Sequence, residues 1–230
     1  MKRPAIERPV VAIVPCRNEA LSISSVLKEL ARIGVGRVIV AVDPRSTDTT
    51  SVLAAEGGAQ VVHSLSSGYD GPCLAAIAAL DHEGFDGDVL FLDAGNKYEM
   101  DSVEALLDGL DPAADITFGI RDAQMKWHQR MGNNLFRIVL FLRFRRWVQD
   151  VSSLRVVRMA VITELKLQDR QFSLPFQTIV HALVLRKRIC YVPIHCTPTR
   201  TGVSKVSGDW RNSTKAARQM IIAMVKVPRL

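Results

Sequence analysis

Four polar groups stand just past short apolar runs in the first 121 residues: Arg17-Asn18-Glu19, Asp43, Asp93 and Arg121. Carboxylates accept hydrogen bonds and hold cations, and a guanidinium can grip two phosphate oxygens at once. The same kind of side chain after one apolar run after another points to a common polar crevice. The elements that would place such residues together can be read from the runs themselves.

Residues 10–14 (VVAIV, stopped by Pro15), 38–42 (VIVAV), 61–62, 89–92 (VLFL) and 116–119 read as buried strands. Between them the spacing predicts helices over 21–33, 46–55, 72–80 and 102–110. The second opens on a Ser-Thr-Asp cap signal and the third has a proline near its first turn. Strands alternating with helices in this way predict an α/β fold, with a mostly parallel, doubly wound sheet flanked by helices. In such open sheets ligands bind outside the carboxyl ends of the strands, where the four polar groups fall.

The second half changes character. Residues 126–148 read as one long basic, aromatic-bearing helix or two shorter ones, 151–157 as extended and 176–186 as a helix. Residues 189–194 read as a strand, 197–208 as a polar loop and 212–225 as a basic amphipathic helix. There is no internal repeat and no linker, so residues 1–230 are expected to form a single domain.

The formal net charge of +7 is unevenly distributed: residues 1–120 sum to −9 and residues 121–230 to +16. A basic half of this kind suits an anionic partner, whether nucleic acid, a membrane surface or a phosphorylated substrate, and also suits a merely solvated face. Cys16, Cys73, Cys190 and Cys196 form no Cys-x-x-Cys pair. Cys190, His195 and Cys196 lie close in sequence but lack a further ligand at zinc spacing, so core thiols in a reducing compartment are expected. No apolar leader precedes the first strand. No stretch reaches the length of about 18 apolar residues that spans a bilayer; the strongest candidate, 135–148, is interrupted by Arg137, Arg143, Arg145 and Arg146. No G-x-G-x-x-G follows the first strand, and no G-x-x-x-x-G-K-[ST] occurs, which argues against dinucleotide-binding and P-loop readings.

A different series follows the strands: VAIVPCRNEA (11–20), VAVDPRSTDTT (40–50), GYDGPCLAA (68–76), LFLDAGN (90–96), ITFGIR (116–121), DVSSLR (150–155) and TRTGVSKVSG (199–208). In order and spacing these resemble the family-two glycosyltransferases of GT-A fold, especially the polyprenyl-phosphate sugar transferases such as the dolichyl-phosphate mannose synthases. The resemblance covers nearly the whole chain. It implies an inverting transfer of a sugar from a UDP- or GDP-type donor, with 1–120 as the nucleotide half and 121–230 as the acceptor half. The preferred acceptor is a polyprenyl phosphate, with a soluble hydroxyl compound next. It also implies Mg²⁺ or Mn²⁺ and a cytoplasmic protein with peripheral contact at a membrane face, and nucleic acid is not an expected partner.

Residue by residue, the resemblance sets Pro15, Arg17, Asn18 and Glu19 against the nucleotide and Asp43 on the base or ribose. Gly71 belongs to the glycine loop, and Arg45, where the family has no arginine, could approach the donor phosphate or merely face water. Asp93, Ala94 and Gly95 stand where the family has its D-x-D motif, with Asp93 the metal ligand. Arg121 would lie near the reaction centre, Arg130 and Asn133 in the acceptor region, and Arg200, Ser204 and Lys205 on the donor phosphates. Asp150 matches a carboxylate that serves either as general base or as structural partner of Arg155. Asp43 and Asp93 could alternatively cap the helices that follow them.

Three positions depart from the family pattern: Gly95 replaces the second aspartate, Pro44-Arg45 replaces Asp-Gly, and Asp70 stands where a basic residue is common. These departures motivate a second reading, a non-catalytic nucleotide-binding descendant. The +16 half motivates a third, a nucleic-acid binder, although no recognition module is present.

Overall fold

The computed structural model describes residues 8–95, 99–121, 127–169 and 173–195, with the backbone alone for residues 121, 127–133 and 135. The chain begins with a β-α alternation: β1 (Val10–Cys16), α1 (Ile23–Arg32), β2 (Arg37–Val42), α2 (Thr50–Glu56), β3 (Gln60–His63), α3 (Asp70–His82), β4 (Asp88–Phe91) and α4 (Met100–Asp108). It continues through β5 (Ile116–Arg121), α5 (Trp127–Phe144), β6 (Arg155–Arg158), α6 (Met159–Leu165), α7 (Leu174–Val184) and β7 (Ile189–Ile194).

The strands form one seven-stranded sheet in the order β3-β2-β1-β4-β6-β5-β7. Six strands run parallel, and β6 is antiparallel to both of its neighbours. The expected α/β fold with a mostly parallel sheet is therefore present. The apolar runs reflect burial on both faces. Along β1, Val11 and Ile13 pack into one core while Ala12 and Val14 pack into the other, and β2 and β4 alternate in the same way. α1, α2 and α4 cover one face, and α3, α5, α6 and α7 the other.

β1 runs through Pro15 to Cys16 instead of stopping at the proline. Its ladder with β4 has already ended at Ile13, so the missing N–H of Pro15 falls where the strand has lost one neighbour. α2 starts at Thr50, later than its cap signal suggested, because residues 46–48 bond to the neighbouring loop. α6 had no counterpart in the sequence reading. Within the stretch 126–148, Trp127–Phe144 form one helix, which ends ahead of Arg145 at φ 55°.

Candidate active site at the carboxyl edge of the sheet

β2 and β4 flank β1 in parallel, so Arg17-Asn18-Glu19, Asp43 and Asp93 leave the sheet at one edge. β6 runs the opposite way, so the segment before it, from Asp150 to Leu154, enters at that same edge. The two meet directly: the Ser153 hydroxyl donates to Asp93 Oδ2 at 2.7 Å. β5 is parallel to β4 in sense and delivers the backbone of Arg121 there as well. Candidate residues from five separate stretches of chain thus share one rim. Arg130 and Asn133 lie on α5, where the backbone alone is described, and Arg200, Ser204 and Lys205 lie outside the described residues.

Asp43 is only 2% exposed, and its carboxylate is fully engaged. Oδ1 accepts from the Arg45 backbone N–H (2.8 Å) and Arg45 Nε (3.1 Å), and Oδ2 accepts from Arg45 Nη2 (3.0 Å) and the Gly68 N–H (2.7 Å). Burial alone would raise its pKa. The Arg45 guanidinium and the two backbone N–H groups outweigh burial and hold it below the usual carboxylate range. Gly68 has φ 106°, a conformation that suits glycine and aims its N–H at the carboxylate. The Asp43 N–H closes a bond to Cys16 O, tying the tips of β1 and β2 together.

The loops after β1 and β2 are cross-linked. Asn18, at φ 52°, accepts on its side-chain oxygen from the Thr47 N–H (2.8 Å) and the Ser46 hydroxyl (3.3 Å). The Glu19 N–H donates to Thr50 Oγ1 (2.8 Å), while its carboxylate accepts from the Ser22 hydroxyl (3.0 Å) ahead of α1. Asp48, which was not singled out in the sequence, accepts from the N–H of Ala20 and from both the N–H and hydroxyl of Thr50. These bonds make Asn18 and Glu19 parts of the scaffold, with Arg17 exposed at the loop's tip.

Asp70 and Gly71 also have structural explanations. Asp70 is fully buried and accepts from the Ser173 N–H (2.9 Å), the Ser173 hydroxyl (3.1 Å) and the Leu174 N–H (2.9 Å). It thereby caps α7 from the start of α3, a use of a carboxylate at a helix N-terminus that local sequence does not reveal. At Gly71 a Cβ would sit 2.5 Å from Ser66 O, so close backbone approach alone requires glycine there.

Asp150 is not the partner of Arg155. Its Oδ1 accepts from the Val151 N–H (2.8 Å), and its charge helps to raise the half-buried Tyr191 phenol. For that phenol burial is the largest cause, and together they push it up to about 12. Arg155 points the other way, into the interior, and is completely buried. Its guanidinium lies 4.0 Å from the centre of the Phe91 ring, while Nη1 donates to Ser153 O (3.0 Å) and the Tyr69 hydroxyl (3.4 Å). Nε and Nη2 find no hydrogen-bond partner among the described residues. The Cys73 thiol nearby is pushed well up by burial, with Arg155 pulling it back and Asp70 and Asp93 adding to the rise. Ser153 thus links the two, its carbonyl accepting from the buried Arg155 and its hydroxyl donating to Asp93.

Whether this edge suits a divalent cation depends on its donor set. Among the described residues no three His, Cys, Asp or Glu side chains cluster to hold one. Asp93 is the carboxylate matched to the D-x-D position, and a Cβ built on Gly95 meets nothing within 4 Å among the described residues. Hard cations of this type can bind through one carboxylate, with substrate phosphates and waters completing the shell. The residues present fit that mode, with Asp93 as the protein ligand. Of the cysteines, Cys16 and Cys73 are buried and Cys190 is half-buried; Cys196 lies outside the described residues.

The fold, with its seven-stranded β3-β2-β1-β4-β6-β5-β7 sheet, is the GT-A fold. A solved glucosyl-3-phosphoglycerate synthase from Mycobacterium tuberculosis, in complex with Mn²⁺, UDP and glucosyl-3-phosphoglycerate, superposes with a TM-score of 0.73. That match covers 97% of this chain and 82% of the neighbour at 17% identity. No family model matches the sequence. An uncharacterised glycosyltransferase of Mycobacterium tuberculosis (strain H37Rv) is 31% identical over 208 residues, 89% of this chain and 92% of the relative. A dolichyl-phosphate hexose transferase of Haloferax volcanii is 26% identical over 182 residues, 77% of this chain and 78% of that protein. The chain belongs to the glycosyltransferases.

Proposed function

We propose that this protein is an inverting family-two glycosyltransferase that moves a sugar from a nucleotide-sugar donor of UDP or GDP type to a polyprenyl phosphate. The observation that carries this reading is the bond between Ser153 and Asp93. It joins the strand end assigned to the donor diphosphate to the segment of Asp150, so that donor and acceptor elements meet within one hydrogen bond. A bound Mg²⁺ or Mn²⁺ would neutralise the leaving nucleoside diphosphate. Asp93 would hold that ion. Pro15, Arg17 and the loop scaffold of Asn18 and Glu19 would wall the nucleotide pocket, with Ala94 and Gly95 beside the diphosphate. Arg200, Ser204 and Lys205 are assigned to the donor phosphates, and Arg121, Arg130 and Asn133 to the acceptor.

In this reading the acceptor oxygen attacks the anomeric carbon from the face opposite the nucleoside diphosphate. A phosphate acceptor is already anionic at neutral pH and needs little help from a base, so Asp150 would act by position. The lipid character of the acceptor is supported by α5 and the segment after it. Ile138, Phe141, Leu142 and Trp147 are exposed there beside Arg143 and Arg145, a texture suited to an anionic membrane surface. Among the described residues no helix is long and apolar enough to cross a membrane. A second reading, a soluble phosphorylated hydroxyl acceptor, is favoured by the solved neighbour's complexes with phosphoglyceric acid and glycerol 3-phosphate. On that reading Asp150 would serve as the base.

The test is a transfer assay with labelled UDP- and GDP-sugars, offered polyprenyl phosphate in vesicles or phosphoglycerate in solution. Label should move into the lipid fraction, and Asp93→Asn should lower kcat/KM by about a hundredfold or more. Full turnover in Asp93→Asn would overturn the site. Label found only in the soluble product would select the second acceptor class.

A further inference from the structure

The four bonds on Asp43 change what a ligand meets at the tip of β2. The carboxylate is buried and has no acceptor position left, whereas the Arg45 side chain that covers it is 49% exposed. Arg45 is held side-on through Nε and Nη2, and its Nη1 makes no hydrogen bond among the described residues. A guanidinium gripped on its Nε side keeps a second pair of donors, on Nη1 and Nη2, facing outward in a fixed plane. The contact offered at this point is therefore a rigid two-donor fork, opposite in polarity to a bare carboxylate.

Building on the donor-nucleotide reading above, we propose that Arg45, anchored by Asp43, reads the nucleobase of the donor and selects an edge with two adjacent acceptors. Guanine presents O6 and N7 in that arrangement, and cytosine presents O2 and N3. Uracil does not, because its N3–H lies between its two carbonyl oxygens and would face the fork donor to donor. Bidentate pairing of arginine with such an edge is a recurrent mode of base discrimination. Anchoring matters as much as identity here, since a guanidinium free to rotate would lose the fixed plane that makes two bonds possible together.

Isothermal titration of GDP, CDP and UDP into the wild-type protein and into Arg45→Ala, Arg45→Lys and Asp43→Asn tests this. Circular-dichroism melts confirm that each variant is folded. Wild-type protein should bind GDP or CDP about tenfold more tightly than UDP. Arg45→Ala and Arg45→Lys should lose that preference while changing UDP affinity by less than about threefold. Asp43→Asn should blunt the preference by loosening the fork. Four outcomes overturn the proposal while leaving the donor-nucleotide reading standing. They are a wild-type preference for UDP, tighter UDP binding in Arg45→Ala (Arg45 as a competitor for the carboxylate), equal weakening of all three nucleotides (a phosphate contact), and no change at all. Failure of all three nucleotides to bind wild-type protein would sink the donor-nucleotide reading as well.

Discussion

Asp43 gains its four hydrogen bonds only as a carboxylate, so its ionisation is linked to folding. Its pKa is lowered in the folded protein, and the stability it contributes is therefore fully present above the ordinary aspartate range. It is lost as pH falls through the lowered folded value. Asp43→Asn should destabilise the protein at pH 7 by about 1–2 kcal/mol, allowing for the half-exposed guanidinium. It should also flatten the fall of Tm below about pH 4, which melts across an acid series would record. At Gly95 the space left open by the described residues predicts a gain. Gly95→Asp should fit without strain and tighten Mn²⁺ binding in the presence of nucleoside diphosphate by on the order of tenfold, measured by electron paramagnetic resonance of free Mn²⁺. The polar positions past the strand ends were legible in the sequence because strand ends and ligand crevices coincide. Their partners were not. Nothing in Asp-Pro-Arg tells which way the arginine folds back, and the Gly68 N–H arrives from another loop. A pairing with Arg155 was one of two roles open to Asp150, yet Arg155 turns into the sheet interior over Phe91.

At the scale of elements, α7 depends on a side chain from α3. Asp70→Ala would leave the Ser173 and Leu174 N–H groups buried without their acceptor, at about 1–3 kcal/mol for each orphaned donor. Faster amide exchange through Leu174–Val184, with α1 unaffected, is the expected signature. Gly71→Ala should cost about 1–3 kcal/mol in chemical denaturation, because the new methyl meets the backbone of Ser66. The strands were the clearest elements in the sequence: continuous β-branched runs such as VVAIV and VIVAV bury both faces, and β7 falls on residues 189–194 as expected. α6 escaped notice because its seven residues, MAVITEL, are too few to separate helical from extended periodicity. Asp70, standing where a basic residue is common in the family, could be understood only from its bonds to Ser173 and Leu174 at the start of α7.

Across the whole molecule the net charge of the second half overstates the field it can project. Arg137 and Arg146 donate to the carbonyls of Val148 and Lys187, and Arg137 also lies 4.7 Å from the centre of the Trp147 ring. Lys187 pairs with Glu164, Arg188 with Asp111, and Arg155 is buried. A tally of charged residues cannot separate such structural cations from those facing outward. The proposed membrane contact therefore depends on the exposed apolar side chains together with the remaining arginines. Flotation with anionic vesicles should recover the protein at low salt and lose it at about 1 M salt, where charge is screened within about 3 Å. Phe141→Ala and Trp147→Ala together should weaken recovery several-fold at low salt. Protein left wholly in the lipid-free fraction under those conditions would refute the contact.

The position of β6 bears on how the chain can assemble during synthesis. β5 reaches the sheet only through β6, which is made more than thirty residues later and must slot between β4 and β5. A nascent chain that has emerged only as far as residue 121 therefore carries β4 with a bare edge and β5 with no strand to lie against. Ribosome-stalled intermediates of that length should be protease-sensitive at Ile116–Arg121, and that sensitivity should vanish once Arg155–Arg158 has cleared the exit tunnel.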